Sequence, residues 1–109
     1  MEINFKNFSK FEIKVGTILS VENNLKAKKS AYVLEIDFGE NDGIKKSSAQ
    51  ITNYSVDNLL GRKVVAVTNF PKKNIAGIIS EVLVLGAITD YGVKLLNVDD
   101  SIKNGTLVG

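Results

Sequence analysis

The clearest alternation of apolar and polar residues lies at Ala31–Phe38, where Tyr32, Leu34, Ile36 and Phe38 occupy every second position. A period of two predicts a strand with one face in the core and the other towards water. The next residues include an Asp-Gly pair, which is typical of a tight turn between antiparallel strands. The pattern therefore predicts a half-buried strand that leads into a hairpin.

Other segments show strand-like composition, and one shows the signals of a short helix. Ser55 is a good N-cap for that helix, and Gly61 can close its end in the left-handed region. Gly16, near the start of the first predicted strand, indicates a bulge or bend. The remaining predicted strands are Val15–Glu22, Ile44–Ile51, Arg62–Asn69, the buried Ser80–Gly86 and a last one at Val93–Val98.

Three strands, a short helix and two more strands follow one another in this order. It is the order of an OB-fold, an all-β, five-stranded Greek-key barrel whose short helix joins strands three and four. We expect N- and C-terminal extensions to flank the barrel and residues 1–109 to form a single domain. The usual ligand surface of this fold crosses strands two and three and is bordered by loops.

Two polar features fall on that expected surface. The third strand is unusually polar, with Lys46 and Ser48 on one face and Lys45 and Ser47 on the other. The basic loop at 71–74, Pro-Lys-Lys-Asn, joins strands four and five and would lie near the rim. A polar strand has to face water or a polar ligand, so both features point to one candidate binding face.

The excess of basic over acidic residues is concentrated in the central third of the chain, which includes both polar features. The net charge of the chain is +2, but Ile44–Ile79 holds six basic side chains and one acid. A basic centre of this kind is typical of a phosphate-binding surface and equally of a solvated lysine-rich face. Charge alone does not decide between them.

The absence of two residue types excludes several chemistries. Without cysteine or histidine, the chain has no disulfide, no thiolate zinc site and no Ser-His or Cys-His catalysis. Metal chemistry would have to rest on carboxylates, and catalysis on carboxylates or lysines. No glycine-rich phosphate motif is present either, and we predict no metal, no cofactor and no enzymatic activity. The N-terminus lacks the apolar run of a signal peptide, and no segment could span a bilayer, so we expect no membrane insertion and a cytoplasmic location.

The N-terminal segment carries Phe5, Phe8 and Phe11 three residues apart. This spacing favours a short α-helical or 3₁₀ turn with one aromatic face. That face could cover the core of its own chain or contact a second copy. The spacing leaves both alternatives open.

Several motifs, in the right order, resemble the CsaA family of small tRNA-binding-domain proteins, which are described as secretion chaperones. They are Gly43–Thr52, Val65–Pro71, Ile75–Gly77, Ser80–Gly86 and Asn104–Thr106. The resemblance covers nearly the whole chain, including the approach to the first strand.

Related tRNA-binding modules, in some aminoacyl-tRNA synthetases and in EMAP II, typically carry Gly-Met after a Ser-Glu pair. This chain has Val82 and Leu83 there, which favours the CsaA branch. It departs from the family at residues 71–74, where the loop is usually rich in proline and arginine. Lysine lacks the planar, bidentate fork that arginine offers to phosphate.

The resemblance implies an OB-fold homodimer with two ligand classes, tRNA and exported or unfolded polypeptide. The dimer would join through the N-terminal segment and the C-terminal extension. The apolar residues available there are Phe5, Phe8, Phe11, Ile102, Leu107 and Val108.

For RNA, we expect lysines on phosphates and neutral side chains on backbone or bases. With no tryptophan to stack on, recognition of tRNA shape is favoured over base reading. The candidate RNA-binding residues are Lys45, Lys46, Ser47, Ser48, Asn69, Lys72, Lys73, Asn74 and Ser80.

For polypeptide, the candidates are apolar residues in or after the basic loop, which alternatively close the barrel end or the dimer interface. They are Phe70, Ile75, Ile78 and Ile79. Two other functions remain open: a tRNA-binding accessory protein with no chaperone role, and a structural adaptor whose function is dimerisation.

Overall fold

The computed structural model describes all residues, 1–109, and is built around β1 (Ile13–Asn23), which pairs with three other strands. The other strands are β2 (Tyr32–Asp37), β3 (Ile44–Ala49), β4 (Lys63–Val67), β5 (Lys73–Ile75), β6 (Ile78–Ser80), β7 (Leu83–Val84), β8 (Gly86–Thr89), β9 (Gly92–Leu95) and β10 (Leu107–Val108). The helices are α1 (Phe5–Phe8) and α2 (Val56–Leu59).

Five antiparallel strands form a nearly closed barrel in the order β3-β2-β1-β4-β7. The helix α2 lies between β3 and β4 in the chain, as expected for an OB-fold. This confirms the predicted fold class. The strands β5–β6 and β8–β9 form two separate hairpins outside the barrel sheet, and β10 pairs with β1.

The core forms where β2 faces the other barrel strands. Tyr32, Leu34, Ile36 and Phe38 are all buried, as their alternation predicts. Val64 and Ala66 of β4 and Leu59 of α2 are packed in the same cluster, which also includes Ile18, Ile51, Val82 and Leu95. The hydrophobic effect of this cluster is the main favourable term for folding.

Gly16 has a different role from the one its position suggested. Gly16 pairs in regular register with Val64 of β4, and the register irregularity in β1 lies between Ile18 and Ser20, so the structure has no bulge at Gly16. A Cβ on Gly16 would lie 2.6 Å from Cγ2 of Ile36 and 2.8 Å from Cε1 of Phe38. Glycine is therefore needed so that the core side chains of β2 can pack directly against the backbone of β1.

The short helix α2 follows its predicted signals. The hydroxyl of Ser55 accepts the backbone N–H of Asn58 (3.2 Å), which satisfies one free donor at the helix N-terminus. Gly61 has φ of 77°, in the left-handed region. Each helix of the chain has four residues, and no helix is long and apolar enough to cross a membrane.

The prediction of one continuous buried strand at Ser80–Gly86 is wrong. Ser80 ends β6, the two-residue strand β7 follows with Leu83 half exposed, and Gly86 begins β8. In this stretch the chain changes hydrogen-bonding partner from β5 to β4 to β9. An apolar run does not reveal such changes. The predicted last strand, Val93–Val98, is likewise shorter and pairs in a hairpin.

The barrel closes where residues 46–48 of β3 meet residues 80–82, and we call this contact the closure seam. Glu81 donates its backbone N–H to the carbonyl of Lys46 (2.8 Å). The side-chain Oε1 of Glu81 accepts the backbone N–H of Lys46 in return (3.2 Å). The carboxylate thus supplies a bond that a regular partner strand would otherwise provide.

The C-terminal extension is fixed to β1 by a turn. Gly105 has φ of 88° and donates its N–H to the carbonyl of Val15 (2.7 Å). The side-chain oxygen of Asn104 accepts bonds from the hydroxyl of Thr17 (2.7 Å) and from Nζ of Lys63 (2.9 Å). These contacts place β10 beside the start of β1.

Candidate functional site

The basic loop and the residues after it form the β5–β6 hairpin. Ile75 pairs with Ile78 across a two-residue turn, in which Ala76 has φ of 49° and Gly77 has φ of 85°. Two positive φ angles are characteristic of a type I′ hairpin turn. The side-chain oxygen of Asn74 accepts the N–H of Gly77 (3.0 Å) and braces the turn.

A groove of about 550 Å³ lies between this hairpin and the closure seam. We call it the hairpin groove. Five of its nine lining residues were candidates from sequence, and they come from both the RNA set and the polypeptide set. The lining consists of Phe70, Pro71, Lys72, Lys73, Ile75, Ser80, Glu81, Val82 and Leu83. The structure therefore brings candidate residues from both sets together in one groove.

The hairpin register separates the remaining candidates into two faces. Residues directly opposite each other in an antiparallel pair share a face. Ile78 lies opposite Ile75 and therefore shares the face that lines the groove. Asn74 and Ile79 lie opposite each other on the other face, away from the groove.

Two candidate serines belong to the closure seam. Ser47 is 1% exposed and its hydroxyl donates to the carbonyl of Val82 (3.1 Å). Ser80 is 8% exposed and its hydroxyl accepts the backbone N–H of Ser48 (3.1 Å). Both hydroxyls therefore have partners within the chain, and Ser80 also lines the hairpin groove; RNA contact by Ser47 and Ser80 stays a prediction. Ser48, in contrast, is partly exposed on the outer face of β3.

The amide of Asn69 holds the N-terminal segment. Its oxygen accepts the backbone N–H of Glu12 (3.0 Å), and its nitrogen donates to the carbonyl of Lys10 (2.7 Å). Both polar atoms of this RNA-binding candidate are therefore engaged within the chain. Asn69 connects the end of β4 to the segment that precedes β1.

The lysines around the groove share one carboxylate, that of Glu81. Its Oε2 lies 3.8 Å from Nζ of Lys45 and 3.9 Å from Nζ of Lys72. Lys46 and Lys73 form no ion pair, so their charges remain available. The charge count along the sequence ended at Ile79 and missed Glu81, although it is central to this surface.

Lys26 is a further basic residue that sequence reasoning did not assign to the site. A Cβ on Gly77 would lie 3.5 Å from Cδ of Lys26, so the loop between β1 and β2 touches the turn of the β5–β6 hairpin. The corresponding loops of OB-folds border the ligand surface. Local sequence marks the β1–β2 loop as basic, but only the fold brings Lys26 beside the turn of the β5–β6 hairpin.

The terminal segments form a second depression, the terminal hollow, of about 500 Å³, lined by five hydrophobic side chains together with Glu12, Lys14 and Asp42. Neighbouring rings of the N-terminal phenylalanines lie 6.5 Å apart between centroids, and Phe5 is 80% exposed. Ile102, a predicted interface residue, does not line the hollow. The five other predicted interface residues do: Phe5, Phe8, Phe11, Leu107 and Val108.

The family described as "Putative tRNA binding domain" matches residues 13–107, nearly the whole chain. The chain therefore belongs to this family of tRNA-binding domains.

Solved structures refine this placement. The CsaA chaperone protein of Picrophilus torridus is 52% identical, with a TM-score of 0.94 over 99% of this chain and 100% of that one. The chaperone CsaA of Bacillus anthracis is 43% identical, with a TM-score of 0.92 over the full length of both chains. The resemblance to the CsaA branch, predicted from sequence motifs, is confirmed.

Curated relatives include larger proteins. The methionine–tRNA ligase of Methanococcus vannielii is 33% identical over 106 residues, which is 97% of this chain and 16% of the ligase. The chain thus spans about one sixth of that relative's length. A methionyl-tRNA-synthetase-related protein of Pyrococcus horikoshii matches with a TM-score of 0.88 and 28% identity over the full length of both chains.

The seam serines give a first prediction. Ser47→Ala should lower the free energy of unfolding by about 1–3 kcal/mol, because the buried carbonyl of Val82 loses its side-chain donor. Ser80→Ala should lower the free energy of unfolding by a similar amount, because the backbone N–H of Ser48 loses its acceptor. Ser48→Ala is the matched control and should change stability by less than about 0.5 kcal/mol. Urea unfolding measures all three, and equal effects would contradict the distinction.

Proposed function

We propose that the chain is a non-catalytic, CsaA-like binding protein that recognises tRNA and also holds unfolded or exported polypeptide. We further propose that it acts in the cytoplasm as a homodimer. The observation that carries the proposal is the hairpin groove, in which apolar lining and lysines occur together. Family membership supports the same two ligand classes, because the family is described by tRNA binding and the CsaA relatives are named chaperones.

For RNA, the support comes from the balance of charge around the groove. Nζ of Lys45 and Nζ of Lys72 lie 3.8 and 3.9 Å from the single carboxylate of Glu81, and Lys73 also lines the groove. Lys46 lies in the closure seam, and Lys26 lies beside the turn of the β5–β6 hairpin. Lysine is a point charge on a flexible stem, well suited to phosphates at different positions. Contacts to phosphates position a protein on nucleic acid without reading sequence, which favours recognition of tRNA by its shape. Ser48 and the exposed Asn74 would add neutral hydrogen bonds at the edges.

For polypeptide, the support comes from the apolar part of the same groove. Phe70 is 46% exposed and lines the groove with Ile75, Val82 and Leu83. Exposed apolar surface next to a rim of charge is typical of a protein-binding site. A tRNA-binding accessory protein without a chaperone role is the alternative, and it would leave this apolar lining without a ligand of its own.

For the homodimer, the support is the terminal hollow. An exposed aromatic cluster beside the exposed Leu107 would lose contact with water if a second copy covered it. The segments that form it belong to both chain termini, which β10 and the turn at Asn104 hold against β1. Self-association through this surface would leave the hairpin groove free for ligand.

The RNA proposal predicts a strong effect of charge reversal at Lys72 and Lys73. If about four phosphates are neutralised, the log–log salt slope of tRNA binding should be about −3 to −4. Lys72→Glu with Lys73→Glu should weaken binding by about tenfold or more and roughly halve that slope. Filter binding at several salt concentrations measures both quantities. Lys94→Glu with Lys103→Glu changes the net charge equally away from the groove and should have a small effect. Unchanged binding in the groove variant would refute the lysine contact.

The polypeptide proposal predicts that Phe70 contributes to client binding. Phe70→Ala should reduce the suppression of aggregation of an unfolded client by at least about half, because an exposed aromatic contact is lost. Light scattering at a fixed ratio of protein to client gives the readout. Ile88→Ala removes another exposed apolar side chain outside the groove and should retain full suppression. If the unsubstituted protein fails to suppress aggregation at a stoichiometric ratio, the accessory-protein alternative is favoured.

The dimer proposal predicts that Phe5→Asp with Leu107→Asp yields a monomer. Two carboxylates in the terminal hollow would have to be desolvated in any self-contact through that surface. Light scattering after size exclusion should give twice the mass of the 11.9 kDa chain before the substitution and a single chain after it. Ile88→Asp, which is on an exposed hairpin, should remain dimeric. A dimeric double variant would show that the copies meet elsewhere.

A further inference from the structure

We infer that the hairpin groove holds one unpaired guanine of the bound RNA, with Glu81 accepting hydrogen bonds from its Watson–Crick edge and Phe70 against its ring. This inference rests on the proposed RNA-binding function and deepens it. It adds a base-reading contact to a surface that otherwise recognises charge and shape.

Glu81 has hydrogen-bond accepting capacity that the chain does not use. A carboxylate offers about four lone-pair sites. The closure seam uses one of them, on Oε1, for the N–H of Lys46 at 3.2 Å. The Oε2 atom lies 3.8 and 3.9 Å from two ammonium groups, which is beyond hydrogen-bonding distance. The side chain is 21% exposed and lines the groove, so a ligand can reach the free acceptors.

The groove combines groups that together match the chemistry of a nucleotide. An acceptor, an aromatic ring and apolar walls lie beside the ammonium groups of Lys72 and Lys73. Their complement is a flat ring with N–H donors, attached to an anion. A nucleotide has this composition, and bases splayed out of single-stranded RNA stack on aromatic side chains. The groove volume, about 550 Å³, is within the range of about 300–1,000 Å³ usual for small-ligand sites.

Among the four bases, guanine fits the carboxylate of Glu81 best. The Watson–Crick edge of guanine presents two adjacent donors, N1–H and the N2 amino group, which match the two oxygens of a carboxylate. Adenine and cytosine present one amino group beside a ring nitrogen that is itself an acceptor. Uracil presents one N–H between two carbonyl oxygens. Each of the three would place an acceptor against Glu81, and an unpaired buried acceptor is costly.

A cationic peptide side chain is the competing occupant, because it could also pair with Glu81. It would, however, enter a groove rimmed by Lys45, Lys72 and Lys73, and like charges repel. A nucleotide places its phosphate among the same lysines and is attracted by them. The charge around Glu81 therefore favours the nucleotide.

The test uses the full chain and a set of RNA hairpins that differ at one unpaired loop position, which carries G, inosine, A, C or U. Fluorescence anisotropy should show that G binds about tenfold more tightly than A, C or U. Inosine lacks the N2 amino group and should be intermediate. Thermal unfolding of each protein variant confirms the fold.

The informative variant is Glu81→Gln, because its amide oxygen can still accept the N–H of Lys46. We expect it to lose the preference for G and to bind the A, C and U RNAs more tightly, because Lys45 and Lys72 no longer face a carboxylate. Glu22→Gln, an exposed carboxylate on β1, is the matched control and should keep the preference.

Each other outcome has a distinct meaning. If no RNA binds even at low salt, the proposed RNA function fails. If all five RNAs bind equally well, the RNA function stands and the guanine inference is overturned. A preference for G that persists in Glu81→Gln overturns the role of Glu81. If a lysine-containing peptide competes with RNA and loses its affinity in Glu81→Gln while no base preference exists, the groove accepts a cationic side chain instead.

Discussion

The barrel is closed by the contact between β3 and residues 80–82, and both the core and the groove depend on this contact. The last barrel strand, β7, has two residues and pairs with β4, so it cannot also cover the length of β3. The open edge of β3 is satisfied instead by residues 80–82, through backbone bonds and the side chains of Ser47, Ser80 and Glu81. Unpaired backbone groups at that edge would be costly to bury. The polar side chains of this short segment therefore replace a strand, and they do so at the wall of the groove.

This closure makes stability and binding depend on the same residues. Glu81 bonds to the backbone of β3 with one oxygen and faces the lysines of the groove with the other. It also lowers the positive potential that would attract RNA, so it opposes the general electrostatic attraction that surrounds it. One oxygen of the carboxylate accepts a backbone N–H in the closure seam. Under our inference, the remaining acceptors bind a ligand that carries hydrogen-bond donors. Backbone closure alone would need only a neutral acceptor.

The sequence predicted the elements whose signals are local. Alternation placed β2 with the correct face inward, and the caps at Ser55 and Gly61 placed α2. It did not predict which polar residues point inward, because Ser47 and Ser48 differ only in the side of the strand that meets the core. Nor could it place Lys26 beside Gly77, since that contact joins two loops far apart in the chain. Long-range pairing, which no local pattern encodes, determines these features.

The two proposed surfaces are joined by a short, hydrogen-bonded connection. Phe70 lines the hairpin groove and also a small depression with Phe11 and Asn69. The amide of Asn69 ties the segment before β1 to the end of β4, and that segment carries the phenylalanines of the terminal hollow. If two copies meet at the hollow, these bonds hold each groove in a fixed position relative to the shared interface. Two lysine-rimmed grooves at a fixed separation would favour an RNA whose phosphates have the matching spacing. A domain with few stacking side chains would then distinguish a folded RNA from an irregular strand by its shape.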